Sequence, residues 1–175
     1  MKTIKNLFLT GLITLISAGF TFAQSNQGTN IGDKAIDLAF TSPDGKTIAL
    51  SSLRGKVVLI DFWASWCGPC RMENPSIVKA YDKYKDAKFK GANGFTIYSV
   101  SLDKSKDAWV KAIEKDNLKW NHHVSDLGGW QSKPAMIYRV HSIPSNWLID
   151  HNGVIVAKNL RGAALEQALA KMAKD

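Results

Sequence analysis

Cysteine is scarce in this 175-residue chain, which has two of them, at Cys67 and Cys70. Two cysteines three positions apart exclude the disulfide framework that staples many small secreted domains. A chain of this length can bury a hydrophobic core without such staples. Hydrophobic residues make up 45% of the chain and charged residues 22%, which is typical of globular proteins. Internal repeats and linkers are also missing, so a single folded domain is predicted.

Long runs of one charge sign are absent as well, because no run of like charge reaches five residues. The formal net charge is +8, and Lys2 and Lys5 near the N-terminus account for two of these charges. The lysines between Lys79 and Lys90 alternate with aromatic and acidic residues, as on the solvated face of an amphipathic helix. Nucleic acid is therefore not an expected partner.

One uncharged apolar stretch, from Leu7 to Phe20, follows the two N-terminal lysines and precedes Thr21-Phe22-Ala23. Small residues at both ends of that tripeptide offer a cleavage site, and the layout is typical of a secretory signal peptide. We predict a signal peptide over residues 1–23 and a folded domain over residues 24–175. The stretch is about 14 residues long, short of the about 20 that span a membrane; an uncleaved anchor is the alternative.

Both interpretations of the leader predict that the folded domain is exported. The expected location is the periplasm, or the extracytoplasmic side of a membrane if the leader stays attached. No cysteine follows the apolar stretch, so a lipid-anchored lipoprotein is not expected. Exported compartments favour disulfides, and a cysteine pair there either rests oxidised or is kept reduced by a dedicated electron donor.

Hydrophobic patterning predicts an α/β domain. Residues 36–40 and 46–50 predict a β-hairpin, and Val57 to Trp63 is a continuous apolar run typical of a central strand covered on both faces. A helix is predicted from Cys67 to Lys88, with Pro75 inside it. Further predicted elements are a strand at Phe95–Ser101, helices at Lys106–Lys115, Lys133–Val140 and Ala163–Met172, and a hairpin of Ser145–Asp150 with Val154–Ala157. Strand, helix and strand in succession predict parallel neighbours.

The segment from Asn117 to Gly129 gives no clear pattern. Trp120 and Trp130 lie in this middle connection, where core packing and contact with a substrate are both open.

The motif Cys67-Gly68-Pro69-Cys70 follows the predicted central strand and opens a helix. At a helix N-terminus, unpaired backbone N–H groups and the helix dipole stabilise an anion. Cys67 is therefore predicted to have a lowered thiol pKa and to be the nucleophile. Cys70, one turn further along and less exposed, is predicted to be the resolving thiol. Gly68 allows close backbone approach, and Pro69 lies in the first turn, where its missing N–H costs nothing.

Two other interpretations of the cysteine pair are weaker. A purely structural disulfide would close so short a loop that it would constrain the unfolded chain little. Half of a zinc site would need His122 and His123 as partners, and adjacent histidines rarely point at one metal. We expect redox chemistry and no metal.

Asp61-Phe62-Trp63-Ala64-Ser65-Trp66-Cys67-Gly68-Pro69-Cys70 closely resembles the active-site stretch of thioredoxin. Leu53-x-Gly55-Lys56 before the strand, the acidic residue and proline after the cysteines, and a longer middle segment resemble the exported TlpA/ResA-like branch of that fold. The resemblance spans Ile31 to the C-terminus and implies that residues 24–175 are a thioredoxin-like domain. It implies an α/β thioredoxin fold, with a mixed central sheet flanked by helices and an N-terminal β-hairpin extension at one edge. It also implies dithiol–disulfide exchange with no bound cofactor.

The resemblance extends to further site residues. It implies that the Ile143–Pro144 bond is cis and faces the cysteines, that Asp61 is a buried carboxylate below the second cysteine, and that Glu73 is the branch's acidic residue. ResA-like proteins often lack a carboxylate at the Asp61 position, so this chain combines features of two groups. We expect at least one of the two carboxyls to hold a proton near neutrality and to exchange it with Cys70. The expected substrate-binding residues are Trp66, Gly68, Pro69, Ile143 and Pro144.

The function predicted from these features is an exported thiol–disulfide oxidoreductase that reduces protein disulfides. Gly-Pro between the cysteines resembles thioredoxin, whose potential is about −270 mV, against about −120 mV for the oxidant DsbA. An upstream dithiol donor, expected to be membrane-bound, would re-reduce the pair. The alternatives are a disulfide oxidase or isomerase, a reductant of apocytochrome c for haem attachment, and a thioredoxin-fold binding module or metal chaperone. A thiol peroxidase is disfavoured, because Cys67 lacks the Thr-x-x-Cys environment.

Overall fold

The computed structural model describes residues 26–173, so the predicted leader, residues 1–23, lies outside it. The strands are β1 (Gln27–Gly28), β2 (Lys34–Ala35), β3 (Ala39–Thr41), β4 (Thr47–Ala49), β5 (Val57–Trp63), β6 (Lys88–Phe89), β7 (Ala92–Asn93), β8 (Phe95–Ser101), β9 (His123–Val124), β10 (Ser145–Ile149) and β11 (Ile155–Lys158). The helices are α1 (Gly68–Tyr84), α2 (Lys106–Lys115), α3 (Lys133–Ile137) and α4 (Ala163–Met172), with 3₁₀ turns at Leu50–Leu53 and Gly129–Gln131. None of the helices between residues 26 and 173 has both the length and the hydropathy needed to cross a bilayer.

Five strands form a mixed central sheet in the order β11-β10-β5-β8-β9. β5 is parallel to β8 and antiparallel to β10, while β9 extends the parallel side and β11 the antiparallel side. Every residue of β5 and β8 is buried, because both strands are covered on both faces. The continuous apolar run of β5 predicts this covering. The mixed sheet implied by the thioredoxin resemblance is confirmed.

Helices α1, α2 and α4 lie together on one face of the sheet. Arg71 of α1 forms a bidentate ion pair with Asp116 at the end of α2, and Lys83 of α1 pairs with Glu166 of α4 at 2.5 Å. Since the ion pairs join α1 to a helix on each side, α1 is the middle helix of this layer. Its N-terminus follows directly from the central strand β5.

The opposite face of the sheet is covered by α3 and by residues 26–49, here called the N-terminal extension. Aromatic side chains of the core donate hydrogen bonds to its backbone carbonyls. The Tyr98 hydroxyl donates to Leu38 and Ile48, the Tyr138 hydroxyl to Ile36, and the Trp147 indole to Thr29, at 2.6–3.1 Å. Within the extension, β3 and β4 form the predicted antiparallel hairpin, which meets the β9 edge through a bridge between Thr41 and Ser125.

Several segments differ from the elements predicted by sequence. Helix α3 ends at Ile137, not at Val140, because Arg139 has a positive φ of 53°, which is not helical. Helix α1 ends at Tyr84, not at Lys88, because residues 88–93 form the small hairpin β6–β7. Gly94 closes that hairpin with a positive φ of 86°, and a Cβ there would lie 2.2 Å from the Lys85 carbonyl oxygen. The middle connection contains β9, whose two residues are too few to produce a periodic pattern.

Candidate active site

Cys67 and Cys70 form a disulfide at the start of α1, with their Cα atoms 5.3 Å apart. Cys67 is the N-cap of the helix, and its Sγ accepts a hydrogen bond from the Cys70 backbone N–H at 3.2 Å. Cys67 is 5% exposed and Cys70 is 1% exposed, in the order that the sequence predicts. Gly68 and Pro69 form the exposed first turn between them.

The loop that leads into Cys67 is held by two residues that sequence reasoning missed. The buried Asp103 carboxylate accepts hydrogen bonds from the Ser65 backbone N–H at 3.0 Å and from the Ser65 hydroxyl at 2.5 Å. Arg71 donates from Nη1 to the Ser65 carbonyl oxygen at 3.0 Å. Because both groups bind the same residue, the backbone before the nucleophile is fixed from two sides.

Asp61 is buried on β5, and its Oδ1 has no hydrogen-bond partner among residues 26–173. Burial raises the pKa of Asp61 from 3.8 to about 7; the positive charge of Arg161 opposes this rise, and the negative charge of Glu73 adds to it. A carboxyl with such a pKa exchanges protons readily near neutrality. This agrees with the expectation that one carboxyl of the pair is partly protonated there.

Glu73 is half-buried and does not project freely into solvent. Its Oε1 accepts a hydrogen bond from the Gly162 backbone N–H at 2.6 Å. The loop before α4 therefore lies against the active-site helix. The negative charge of Glu73 also raises the pKa of Asp61.

The Ile143–Pro144 peptide bond is cis, as the resemblance implies. Both residues are partly buried, and Ile143 packs against the core. The Arg161 guanidinium donates to the Pro144 carbonyl oxygen and to the Leu160 carbonyl oxygen.

Arg161 is a functional candidate that the sequence did not indicate. The Arg161 side chain binds the Pro144 carbonyl oxygen, and its positive charge lowers the pKa of Asp61. In the sequence, 100 positions separate Arg161 from Asp61. An Arg-Gly pair ahead of a helix has no local signature for such a role. We class Arg161 as a positioning residue, since it donates hydrogen bonds to backbone carbonyls and affects Asp61 through its charge.

The tryptophans fall into two groups. Trp66 and Trp130 are 53% and 51% exposed, and their ring centroids are 5.9 Å apart. Trp120, the other tryptophan of the middle connection, is buried against Tyr81 and His123. Of the two, only Trp130 lies beside the active-site loop.

His122 and His123, the other half of the zinc alternative, have partners of their own. His123 is buried, stacked on Trp120, and bonded to the Leu118 carbonyl oxygen at 3.2 Å. The His122 ring is bonded to the Thr96 hydroxyl at 3.1 Å. Across the described part of the chain, no group of three His, Cys, Asp or Glu side chains could hold a metal ion.

Comparison with known proteins places this geometry in a family. The AhpC/TSA family model matches residues 31–158. Thiol-disulfide oxidoreductase ResA of Bacillus cereus is 31% identical over 171 residues, which cover 93% of each chain. Thioredoxin-like protein YneN of Bacillus subtilis is 28% identical, over 85% of this chain and 86% of that protein.

Solved structures agree with these relatives. A thiol-disulfide oxidoreductase from Bacteroides fragilis superposes with a TM-score of 0.70 at 32% identity, over 79% of this chain and 98% of that one. The thioredoxin domain of a thiol-disulfide oxidoreductase from Bacteroides vulgatus gives 0.69 at 35% identity, over 81% and 96%. With its cysteine pair at disulfide distance on a thioredoxin-like sheet, the chain belongs to the AhpC/TSA family and, within it, to the ResA-like thiol–disulfide oxidoreductases.

Proposed function

We propose that this oxidoreductase works outside the cytoplasm as a reductant of protein disulfides, with Cys67 as nucleophile and no bound cofactor. The observation that carries the proposal is the position of Cys67 Sγ at the N-terminus of α1, where the Cys70 N–H donates to it. The same N–H group and the helix dipole stabilise a thiolate at that atom in the reduced form. The direction of the reaction is inferred from Gly68-Pro69, which resembles the pair in thioredoxin.

The exchange takes place in two steps. The Cys67 thiolate attacks one sulfur of the substrate disulfide, forming a mixed disulfide and releasing the other substrate sulfur as a thiolate, which takes a proton. Cys70 then loses its proton and attacks Cys67 Sγ. This forms the Cys67–Cys70 disulfide and releases the second substrate sulfur, which is protonated in turn. Two electrons pass from the enzyme dithiol to the substrate disulfide.

Asp61 is the group we assign to accept the Cys70 proton. It is buried, lies on the strand that leads into the active-site loop, and titrates near neutrality. Glu73 and Arg161 set its protonation from either side, one charge raising and the other lowering the pKa of Asp61. We expect Asp61→Asn and Glu73→Gln each to slow reduction. Their effects should be non-additive, because both change the protonation of the same site.

Each turnover leaves the cysteine pair oxidised, so a dithiol donor must return two electrons and two protons. We infer a membrane-bound donor, because reducing equivalents come from the cytoplasm and have to reach the periplasmic side. Export itself is supported by the sequence of residues 1–23, whether that leader is cleaved or retained as an anchor. Protein substrates are inferred from the thiol-disulfide oxidoreductase relatives.

A redox titration of the Cys67–Cys70 pair tests the direction of the reaction. The full chain is equilibrated in dithiothreitol buffers, and free thiols are counted after acid quenching and alkylation. We expect a potential nearer about −270 mV than about −120 mV. A value close to that of DsbA would make the protein an oxidase and would overturn the proposal.

Trapping with a Cys70→Ser variant tests the residue roles and identifies the substrate. Without the resolving thiol, attack by Cys67 stalls as a mixed disulfide with its substrate. Cys67→Ser is the matched control and should capture nothing. Capture of apocytochrome c would support the haem-attachment alternative. Equal capture by both variants would contradict the assignment of Cys67 as the nucleophile and favour a binding module.

A further inference from the structure

A cleft beside the active-site loop has no role in the exchange steps described above. Its volume is about 500 Å³, and its walls include Trp66, Leu102, Ala108 and Trp130. The exposed lining is predominantly apolar. Pockets that bind small ligands or side chains cover the range of about 300–1,000 Å³, so the cleft has room for a bulky group.

Its two tryptophans are exceptional within this chain. Trp66 and Trp130 are each about half exposed, whereas the other four tryptophans, Trp63, Trp109, Trp120 and Trp147, are at most 5% exposed. Exposed aromatic side chains that face a common cleft mark a contact surface rather than a folding core. Trp130 also belongs to the middle connection, outside the sheet that carries the cysteines.

Contacts within the chain hold both walls of the cleft. The Asp103 and Arg71 hydrogen bonds to Ser65 fix the wall that carries Trp66. On the opposite wall, the Lys104 stem packs against Gly129, where a Cβ would lie 2.6 Å from Lys104 Cε. Gly129 also has a positive φ of 59°, which most side chains disfavour. A preformed wall lowers the cost of ordering a bound chain.

The reaction itself determines what covers this cleft. Trp66 is the residue before the nucleophile Cys67, so their Cα atoms are about 3.8 Å apart. A polypeptide whose disulfide is attacked by Cys67 therefore passes close to the Trp66 wall. Successive residues of an extended chain are about 3.3–3.6 Å apart, which brings side chains one to three positions from the attacked cysteine over the cleft.

We propose that the Trp66–Trp130 cleft selects substrates by binding a bulky apolar side chain next to the cysteine under attack. This deepens the proposed function and rests on it: the partner is a disulfide-bonded polypeptide with an aromatic or leucine-sized residue within three positions of that cysteine. Burying such a side chain is worth about 1.5–3 kcal/mol, and each 1.4 kcal/mol corresponds to a factor of ten. A preference of about tenfold or more is expected.

Two synthetic peptides provide the test. Each has one intramolecular disulfide, and they differ only in having Phe or Ser two positions from the accessible cysteine. The reduced full chain is mixed with each peptide in a single turnover, and the second-order rate constant is measured by acid quenching and chromatography. We expect the Phe peptide to react about tenfold faster with the wild type, and Trp130→Ala to reduce that ratio to about two or less.

Three controls decide between the outcomes. Trp130→Phe, which restores an aromatic wall, should recover most of the ratio, so a variant that misfolds cannot imitate the result. Met136→Ala removes a 60%-exposed apolar side chain that does not line the cleft and should keep the wild-type ratio. Equal rates for both peptides, or an unchanged ratio in Trp130→Ala, would overturn the cleft proposal alone. Failure of the reduced wild type to reduce either peptide would overturn the proposed function as well.

Discussion

Replacing Asp61 with Asn should change how the stability of the oxidised protein depends on pH. The pKa of Asp61 is 3.8 in its ordinary state and about 7 in the folded chain. At about 1.4 kcal/mol for each pKa unit, ionising this carboxyl in the folded state costs about 4 kcal/mol. The cost is absent below pH 4, grows as the pH rises, and is fully present above pH 7. The amide of the Asp61→Asn variant does not ionise and would carry no such cost.

Wild-type stability alone would hide this effect, because a second buried group acts in the opposite direction. Burial lowers the pKa of His123 from 6.5 to about 4, so stability falls by about 3 kcal/mol as the pH drops through that range. Between pH 4 and pH 6.5 the two contributions offset each other. The difference between wild type and the Asp61→Asn variant isolates the carboxyl, since His123 is common to both.

The assay is guanidinium denaturation of both oxidised proteins at pH 4, 5, 6, 7 and 8. The difference in unfolding free energy, variant minus wild type, should increase by about 4 kcal/mol from pH 4 to pH 8. Any constant penalty for burying an amide in place of the carboxyl shifts all points equally and leaves this increase intact. If this difference changes by less than about 1 kcal/mol between pH 4 and pH 8, the conclusion that burial raises the pKa of Asp61 is refuted.

Three further predictions concern other charged and titratable residues. Arg161→Met should move the Asp61 titration to higher pH and Glu73→Gln should move it to lower pH, because the two charges act on its pKa with opposite sign; carboxyl NMR titrations of the oxidised proteins check this, and shifts of the same sign would contradict it. His123→Gln should remove the acid sensitivity between pH 6.5 and about 4. The Asp61 contribution then has no offset, so the unfolding free energy of the variant should fall as the pH rises from 4 to 6.5, and the wild-type-minus-variant difference should grow by about 3 kcal/mol over that range. Arg71→Ala should lower the unfolding free energy by about 2 kcal/mol, since its charge-assisted bonds are lost. The exposed-pair control Lys83→Ala should cost less than about 1 kcal/mol.

The elements that the sequence predicted with correct bounds are those with strong local patterns. β5 is a nearly continuous apolar run, and β8 is rich in β-branched and aromatic residues after a glycine; the bounds of both strands agree with prediction. Helix α2 begins after Ser105, whose side chain accepts from the Ala108 N–H as an N-cap should. The sequence also predicted the cysteine pair as the redox site, because a strand, the Cys-x-x-Cys motif and a helix follow one another directly.

What the sequence could not reveal depends on contacts between distant positions. Arg161 and Gly162 reach Pro144 and Glu73 across gaps of 17 and 89 positions, and no periodicity relates residues so far apart. Asp103 secures Ser65 from another strand end in the same way. The resemblance indicated Asp61 and Glu73, but not Arg161, whose positive charge lowers the pKa of Asp61.

The bonds between the aromatic core and the N-terminal extension determine how far the chain can be trimmed. Tyr98, Tyr138 and Trp147 are each at most 5% exposed, and each donates to a carbonyl of the extension. A shortened protein beginning after residue 49 would lose these acceptors and the core residues of the extension, and it would expose large aromatic side chains to water, at about 1.5–3 kcal/mol for each side chain uncovered. That loss approaches the whole stability of a domain of this size. The thioredoxin-like sheet is therefore not a separable module without the N-terminal extension.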